Sequence, residues 1–208
     1  MNNVIDINLY LDSLSEDIEE IDVSDKGLDY LPDLTRFKNL KILNCQHNNL
    51  TFLPSLNQNL EELFCFDNEL TFLPYLNDNL KMLNCSCNKL IILPLLNKNL
   101  EFIKCSNNRL TELPSLNKKL EYINCSSNQL CYLPSLNENL QTIFFSDNPI
   151  HEIINTYDKS IINQKVKILN NFRFLYYCLK FKKQFRDWLW MKIREPKIQK
   201  KYHYRYLL

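Results

Sequence analysis

The sequence has a single glycine, Gly27, in 208 residues. A Gly-rich phosphate loop needs several glycines at fixed spacing, so the lack of glycine excludes nucleotide-binding loops of that kind. It also predicts that asparagine makes the turns, because Asn tolerates the left-handed backbone region better than most residues. No apolar run approaches the ~20 residues of a membrane span, and the start MNNVIDINLYLD lacks the basic flank of a signal peptide. We therefore expect an intracellular protein.

One pattern of twenty residues repeats along most of the chain. Aligned copies place a cysteine at every twentieth position from Cys45 to Cys125, an asparagine three residues later and a leucine two residues after that. A strict period of this length is typical of stacked units that each contact only their neighbours. An atypical copy runs from Ile18 to Leu34, and six regular copies follow, with strands centred at Leu43, Leu63, Leu83, Ile103, Ile123 and Ile143.

The copies share the template LxxLxCxxNxLxxLP, which resembles the leucine-rich repeat over Ile18 to Ile153. The resemblance implies an α/β solenoid with short parallel strands on its concave side. Within one copy, Leu63 and Cys65 point into the coil, because side chains alternate along a strand. The proline that follows the last leucine of each regular copy forbids a helix interior there. We therefore expect an extended convex side.

The repeated asparagine is interpreted as structural. Where a coil bends inside its own core, backbone N–H and C=O groups lack partners, and an amide side chain can both donate and accept the missing hydrogen bonds. Stacked coils then predict a hydrogen-bonded ladder made of Asn48, Asn68, Asn88, Asn108, Asn128 and Asn148.

Eight cysteines would indicate disulfides if the chain were secreted. Five of them form one column on adjacent predicted strands, where they act as small apolar side chains. A straight line of sulfur atoms provides no tetrahedral cage for a metal ion. In the pair Cys85 and Cys87, one side chain points inwards and the other lies at a turn. We expect free thiols and no metal ligands.

The strand positions between the buried residues point outwards. A repeat tolerates any polar residue there, yet several of these positions carry aromatic or Met side chains, which are common in binding hot spots. We predict that a protein partner binds this concave face; the alternative is that another part of the chain covers it. The predicted contact residues are Glu62, Phe64, Phe66, Met82, Phe102, Lys104, Tyr122 and Phe144.

Charge is distributed unevenly along the chain. Residues 1–153 contain 11 basic and 21 acidic residues, whereas residues 154–208 contain 14 and 3. We predict an N-terminal cap (1–17, helix or strand), a solenoid of about seven coils (18–153) and a basic, aromatic C-terminal segment (154–208). The opposite charges allow this segment to fold back on the solenoid, to meet the solenoid of a second molecule, or to bind an outside anion.

The repeat period stops after Ile153, and apolar residues three to four apart predict a helix from Ser160 to about Arg194. Basic residues interleaved with Tyr, Phe and Trp also suit contacts to nucleic acid or to a membrane surface. The last coil needs a cover, however. We favour a cap in which the aromatic residues of this segment pack against Phe144 and Ile153.

The short proline-containing repeats are similar to those of leucine-rich effector proteins that some bacteria deliver into host cells, many of which are ubiquitin ligases. Those proteins have a second proline where this chain has Asn57, Asn77, Asn97, Asn117 and Asn137. The C-terminal segment resembles a tail found on giant DNA virus proteins. That resemblance implies a viral protein of the host cytoplasm or virion, and its most specific residues are Trp188, Trp190, Arg194, Glu195, Pro196, Tyr202 and His203.

Residues suited to catalysis are few. His47, His151 and His203 are scattered, and Cys178 is the one candidate nucleophile outside the repeats, in an apolar stripe where a packed thiol is the commoner role. We expect no enzymatic activity, no catalytic residue and no cofactor.

The predicted function is a protein-interaction scaffold, and its possible partners include a host-cell protein. The alternatives are binding of nucleic acid or a membrane surface through the C-terminal segment, and a ubiquitin-ligase-like effector.

Overall fold

The architecture is that of a computed structural model, which describes residues 6–180 and residue 191. The chain divides into two compact units, Met1–Val166 and Lys167–Leu208. The first unit contains a short helix and a parallel sheet, followed by a second short helix. Over the described residues, no helix combines the length and apolar character that crossing a bilayer requires.

Seven strands form one sheet, in which every strand pairs in parallel with the next strand along the chain. Paired residues are twenty positions apart, as in Leu43 opposite Leu63, except in the first pair, where Ile21 lies opposite Leu43. This in-register sheet confirms the predicted solenoid. The strands are β1 (Glu20–Asp22), β2 (Ile42–Asn44), β3 (Glu62–Phe64), β4 (Met82–Asn84), β5 (Phe102–Lys104), β6 (Tyr122–Asn124) and β7 (Thr142–Phe144).

The middle residue of every strand points into the core. Leu63, Leu83 and Ile103 are at most 1% exposed, and each lies opposite its equivalent in the neighbouring coil. The cysteine column from Cys45 to Cys125 is fully buried beside them. Because each coil buries its apolar side chains against the next coil, the core is continuous along the sheet, and a Leu→Ala change within it is expected to cost about 2–5 kcal/mol.

The sharp turn after each strand depends on a residue with positive φ. In the six regular copies this residue lies one position before the repeated asparagine, as in Asp67 (φ 54°) and Cys87 (φ 54°), and in the first coil it is Asp25, before Lys26. The expectation that asparagine makes these turns is therefore wrong, because only one of the seven is an Asn. The ladder asparagines instead follow the turn and bind the backbone that it bends. The turn residues are Asp25, His47, Asp67, Cys87, Asn107, Ser127 and Asp147.

The chain between consecutive strands contains no helix in any coil from β1 to β7, a part of the chain that the structure describes in full. Leu53, Leu73 and Leu93, each followed by proline, are 5–7% exposed and close the core on the side away from the sheet. Proline at this place has no N–H for a helical hydrogen bond. The predicted extended return segment is confirmed.

Helix α1 (Ile7–Asp12) precedes the first coil. The carboxylate of Asp6 accepts hydrogen bonds from the backbone N–H groups of Asn8 and Leu9, at 3.0 and 3.3 Å, and so caps the helix. Ile7 and Leu11 are buried. The helix resolves the choice between helix and strand that the sequence left open here, and the cap function of residues 1–17 stays a prediction.

Helix α2 (Pro149–Ile154) follows the last strand and was not predicted. Proline begins the helix, where its missing N–H costs nothing, and Ile150 and Ile154 are buried. The ring of His151 lies 5.3 Å from the ring of Phe145, which occupies the cysteine position of the last coil. Helix α2 therefore packs on the end of the solenoid.

Helix α3 (Lys159–Lys180) begins within one residue of its predicted start. Its first turns bury Ile162 and Val166, whereas Phe144 and Ile153 stay 43% and 58% exposed. Most aromatic residues of the C-terminal segment lie outside the described residues, so their predicted packing against Phe144 and Ile153 stays a prediction. The predicted continuation to Arg194, the side chain of Cys178 and the virus-like residues 188–203 lie outside the described residues, apart from Met191.

Candidate functional site

The outward-pointing residues of β3 to β7, here called the sheet face, contain most of the predicted contact residues. Glu62 and Phe64 lie on β3, Met82 on β4, Phe102 and Lys104 on β5. These positions are partly or fully exposed while the residue between them is buried. The alternation arises because neighbouring side chains of a strand point to opposite sides of the sheet.

Three aromatic rings cross the sheet face on consecutive strands. The ring centres of Phe102 and Tyr122 are 6.4 Å apart, and those of Tyr122 and Phe144 are 6.0 Å apart. Both pairs are tilted and within the range of favourable ring contacts. Phe102 and Phe144 are nevertheless 37% and 43% exposed. The rings therefore support one another and still present apolar surface to solvent.

The aromatic row borders an open hollow of about 310 Å³. The buried Leu83 forms its floor, and its walls carry both apolar and polar groups. Asn84, which was not among the predicted contact residues, belongs to this wall because it lies between Phe64 and Lys104 on neighbouring strands. The lining residues are Phe64, Met82, Leu83, Asn84, Phe102, Lys104 and Tyr122.

Three predicted contact residues lie beside the hollow without lining it. Phe66 packs nearly perpendicular to the His47 ring, with ring centres 4.6 Å apart, and so belongs to the turn region. Glu62 occupies the β3 position opposite Met82. Phe144 completes the aromatic row at the last strand. The predicted residues thus form a cluster around the hollow with two outliers towards the N-terminal side.

The ladder asparagines bind backbone groups of two successive coils. The Nδ2 amide of Asn88 donates to the carbonyl oxygens of Cys65, Cys85 and Ser86 at 3.0, 3.2 and 3.1 Å. Its Oδ1 accepts from the N–H of Leu70 at 2.9 Å. Cys65 and Leu70 belong to the preceding coil, so one side chain connects two coils. The same pattern recurs at Asn48, Asn68, Asn108, Asn128 and Asn148.

A second column of asparagines also connects the coils, and sequence reasoning missed its role. The Nδ2 amide of Asn97 donates to the carbonyl oxygens of Asn77 and Leu80. Asn77 and Asn97 are buried. Their regular spacing is visible in the sequence, but spacing alone does not show which backbone groups the amides meet. The full column is Asn57, Asn77, Asn97, Asn117 and Asn137.

The buried thiols are unsuited to nucleophilic chemistry. Burial raises the pKa of Cys45, Cys85 and Cys125 to about 12 and raises the pKa of Cys65 and Cys105 well above its ordinary value. A thiol is a nucleophile or a metal ligand mainly as the thiolate. Among the described residues, no three His, Cys, Asp or Glu side chains form a group that could hold a metal ion.

Apolar side chains are also exposed on the return segments, opposite the sheet face. Phe52, Phe72 and Ile92 occupy equivalent positions in three successive coils and are 45–57% exposed, and Tyr75 and Leu95 are more exposed still. Sequence reasoning missed this second apolar surface because the template fixes only the leucines and proline of this segment.

Solved structures of known proteins share this fold. No family model and no curated protein matches the chain. A Shigella effector leucine-rich repeat domain is 31% identical, with a TM-score of 0.61, over 68% of this chain and 63% of that one. YopM from Yersinia enterocolitica is 34% identical, with a TM-score of 0.60, over 66% and 31%. YopM from Yersinia pestis, a leucine-rich effector protein, is 36% identical, with a TM-score of 0.60, over 62% and 37%.

The chain thus spans between about one third and two thirds of the length of these proteins. The expected viral resemblance gains no support from these comparisons. In this chain the fold consists of in-register parallel strands at a period of about twenty residues, joined by extended return segments. The chain is a leucine-rich repeat protein with repeats of about twenty residues, structurally similar to the leucine-rich repeat domains of bacterial effectors.

Proposed function

We propose that this protein is a non-enzymatic scaffold that binds a protein partner through the sheet face. The observation that supports this most directly is the row of Phe102, Tyr122 and Phe144 beside a hollow lined mainly by apolar side chains. Exposed aromatic side chains that are held in place by their neighbours lose little conformational freedom on binding, which is the property of a hot spot.

The kind of partner is proposed from the comparisons. The Shigella domain and the YopM of Yersinia pestis are both described as effectors. On that likeness we propose a host-cell protein as the partner. The absence of a metal-binding group among the described residues and the raised pKa of the buried thiols are compatible with a scaffold.

The test compares two faces of one protein. The double variant Phe64→Ser with Phe102→Ser removes two lining residues of the hollow, whereas the control Phe72→Ser removes a more exposed aromatic ring from the return side. Wild-type and variant proteins are used to capture partners from cell extract, and bound proteins are identified by mass spectrometry. We expect a partner that is captured by wild type and by Phe72→Ser but not by the double variant.

The melting temperature separates binding from folding. Phe64 and Phe102 are partly exposed, so we expect the double variant to melt within a few degrees of wild type. Loss of the partner with an unchanged melting temperature supports the sheet face as the binding surface. Capture of the same proteins by wild type and the double variant would disprove it.

Two alternatives concern the C-terminal segment, 154–208, much of which lies outside the described residues. Its excess of basic residues supports binding of nucleic acid or a membrane surface, and this stays a prediction from sequence. Salt-sensitive binding to single-stranded nucleic acid that disappears when 181–208 are removed would favour it. A ubiquitin-ligase-like activity also stays a prediction, and Cys178→Ala tests it.

A further inference from the structure

We propose that the hollow on the sheet face takes an acidic peptide segment of the partner. In this arrangement a large apolar side chain of the peptide enters the hollow, and an Asp or Glu carboxylate within two residues of it binds Lys104 and Asn84. The inference deepens the proposed function and rests on it, because it names the chemistry of the partner at the same face.

The hollow has room for a large apolar side chain. Met82, Phe102 and Tyr122 lie side by side on three consecutive strands and form one wall. The volume of about 310 Å³ is at the lower end of the range for pockets that hold a complete small ligand. An aromatic or large aliphatic side chain fits in such a space while its backbone stays outside.

The opposite wall is a second row of side chains, which is apolar at β3 and cationic at β5. Phe64, Asn84 and Lys104 occupy matching positions on β3, β4 and β5, and adjacent strands are about 4.8 Å apart. An occupant that touches Phe102 therefore has the Lys104 ammonium group within reach of its neighbouring residue, because Phe102 and Lys104 lie two residues apart on the same side of β5.

The polar groups of this row offer donors. The Oδ1 of Asn84 already accepts a hydrogen bond from the backbone N–H of Ser86 at 3.3 Å. Within the described part of the chain, the Nδ2 of Asn84 and the Nζ of Lys104 have no hydrogen-bond partner. Two unused donors, one of them positively charged, favour an anionic group over a cation, which the Lys104 charge would repel.

Lys104 differs from four other lysines of the coils. Lys41, Lys81, Lys89 and Lys98 each form an ion pair with an acidic residue of the preceding coil. Lys104 instead has Asn84 and Asn124 at the matching positions of its neighbouring strands. Its charge is therefore not neutralised by an acidic residue of the adjoining strands, and a carboxylate of a partner can supply the missing counter-ion.

The donor set favours a carboxylate over a phosphate. Recognition of phosphorylated peptides commonly uses clusters of arginine, whose planar group forms paired hydrogen bonds with the phosphate oxygens. The hollow contains one lysine, one asparagine and no arginine. One ammonium and one amide group match the single charge and two oxygen atoms of a carboxylate.

The test is peptide selection by phage display on the full-length protein, using random peptides without phosphate. Selections run in parallel on wild type, Lys104→Glu and Phe102→Ser. All three proteins keep the basic C-terminal segment, so peptides that bind this segment are retained by all three and are discarded. For peptides specific to wild type, dissociation constants are then measured by fluorescence polarisation at two salt concentrations.

We expect wild type to select peptides with an aromatic or large aliphatic residue within two positions of Asp or Glu. Lys104→Glu should weaken the binding of these peptides about tenfold or more. In selections of its own, this variant should yield peptides with Lys or Arg in place of the acidic residue. The inference would be overturned by selected peptides that lack an acidic residue, bind Lys104→Glu as tightly as wild type, and lose binding to Phe102→Ser. That result would leave the proposed function intact. If no selected peptide depends on Phe102, both are wrong.

Discussion

The Nδ2 amide of Asn97 donates a hydrogen bond to the backbone carbonyl oxygen of Asn77, one coil earlier, at 2.7 Å. The relationship repeats between Asn117 and Asn97 at 2.7 Å and between Asn137 and Asn117 at 2.5 Å. Each asparagine thus receives a bond at its backbone and donates one from its side chain. A continuous polar column connects the coils on the return side, in addition to the ladder beside the strands.

Replacing Asn97 by alanine tests this column. The change removes bonds to the carbonyl oxygens of Asn77 and Leu80 in a buried region, so we expect the free energy of unfolding to fall by about 2–3 kcal/mol. The control Asn59→Ala loses a similar bond, to the carbonyl oxygen of Lys38, at an exposed position. Urea unfolding should show a much smaller loss for the control, and equal losses would contradict a special role for the buried column.

Asn88→Ala tests the ladder beside the strands. The variant leaves the buried N–H of Leu70 and the carbonyl oxygen of Cys65 without their side-chain partner. We expect a loss of about 2–4 kcal/mol, because unpaired buried backbone groups keep their full cost of desolvation. Calorimetry or urea unfolding measures it. A loss below about 0.5 kcal/mol would mean that water replaces the side chain, against the burial seen here.

Cys87→Gly tests the strained turn. Cys87 has a φ of 54° and an exposed side chain, so glycine relieves the left-handed conformation and removes little else. We expect the free energy of unfolding to rise by roughly 0.5–1 kcal/mol. The control Cys131→Gly replaces an exposed cysteine at a position without positive φ, and it should lower stability by a similar amount.

The thiol column predicts a loss of stability at alkaline pH. The pKa of Cys45, Cys85 and Cys125 rises to about 12 in the folded protein because burial disfavours the thiolate, while an unfolded cysteine has a pKa of 9.0. The folded state therefore holds these protons more tightly. Stability is complete below pH 9 and falls between pH 9 and 12, as only the unfolded state ionises.

Melting temperatures measured from pH 7 to 10.5 check this sign. We expect Cys85→Val to show a shallower decline above pH 9 than wild type, since one buried thiol no longer contributes. Valine keeps the position apolar. An identical decline in both proteins would show that other groups cause the alkaline loss.

The sequence predicted the repeating parts of the fold well. The positions of Leu63, Leu83 and Ile103 followed from strand alternation and a strict period, both of which are local properties that repeat identically. The parallel sheet and the extended return segment followed from the same period and from proline. These features depend on each coil having the same neighbours.

The parts that were missed depend on where the backbone goes in space. The bonds of Asn97 require carbonyl groups that only the closed coil brings near, and the positive φ of Cys87 is set by the turn and not by its side chain. Helix α2 begins after the last coil, where the repeated pattern ends, so the repeat could not predict it. Asn84 joined the hollow because of its register between Phe64 and Lys104, not because of its residue type.

The uniform register of the sheet makes one coil an interchangeable module. Removing residues 80–99 joins Asn79 to Leu100, and β3 then meets β5 through the same kind of pairing that it makes with β4. We expect this shortened protein to fold cooperatively with a smaller denaturant m-value, as unfolding by urea would show. Duplication or loss of such modules changes the reach of the molecule in steps of about 4.8 Å.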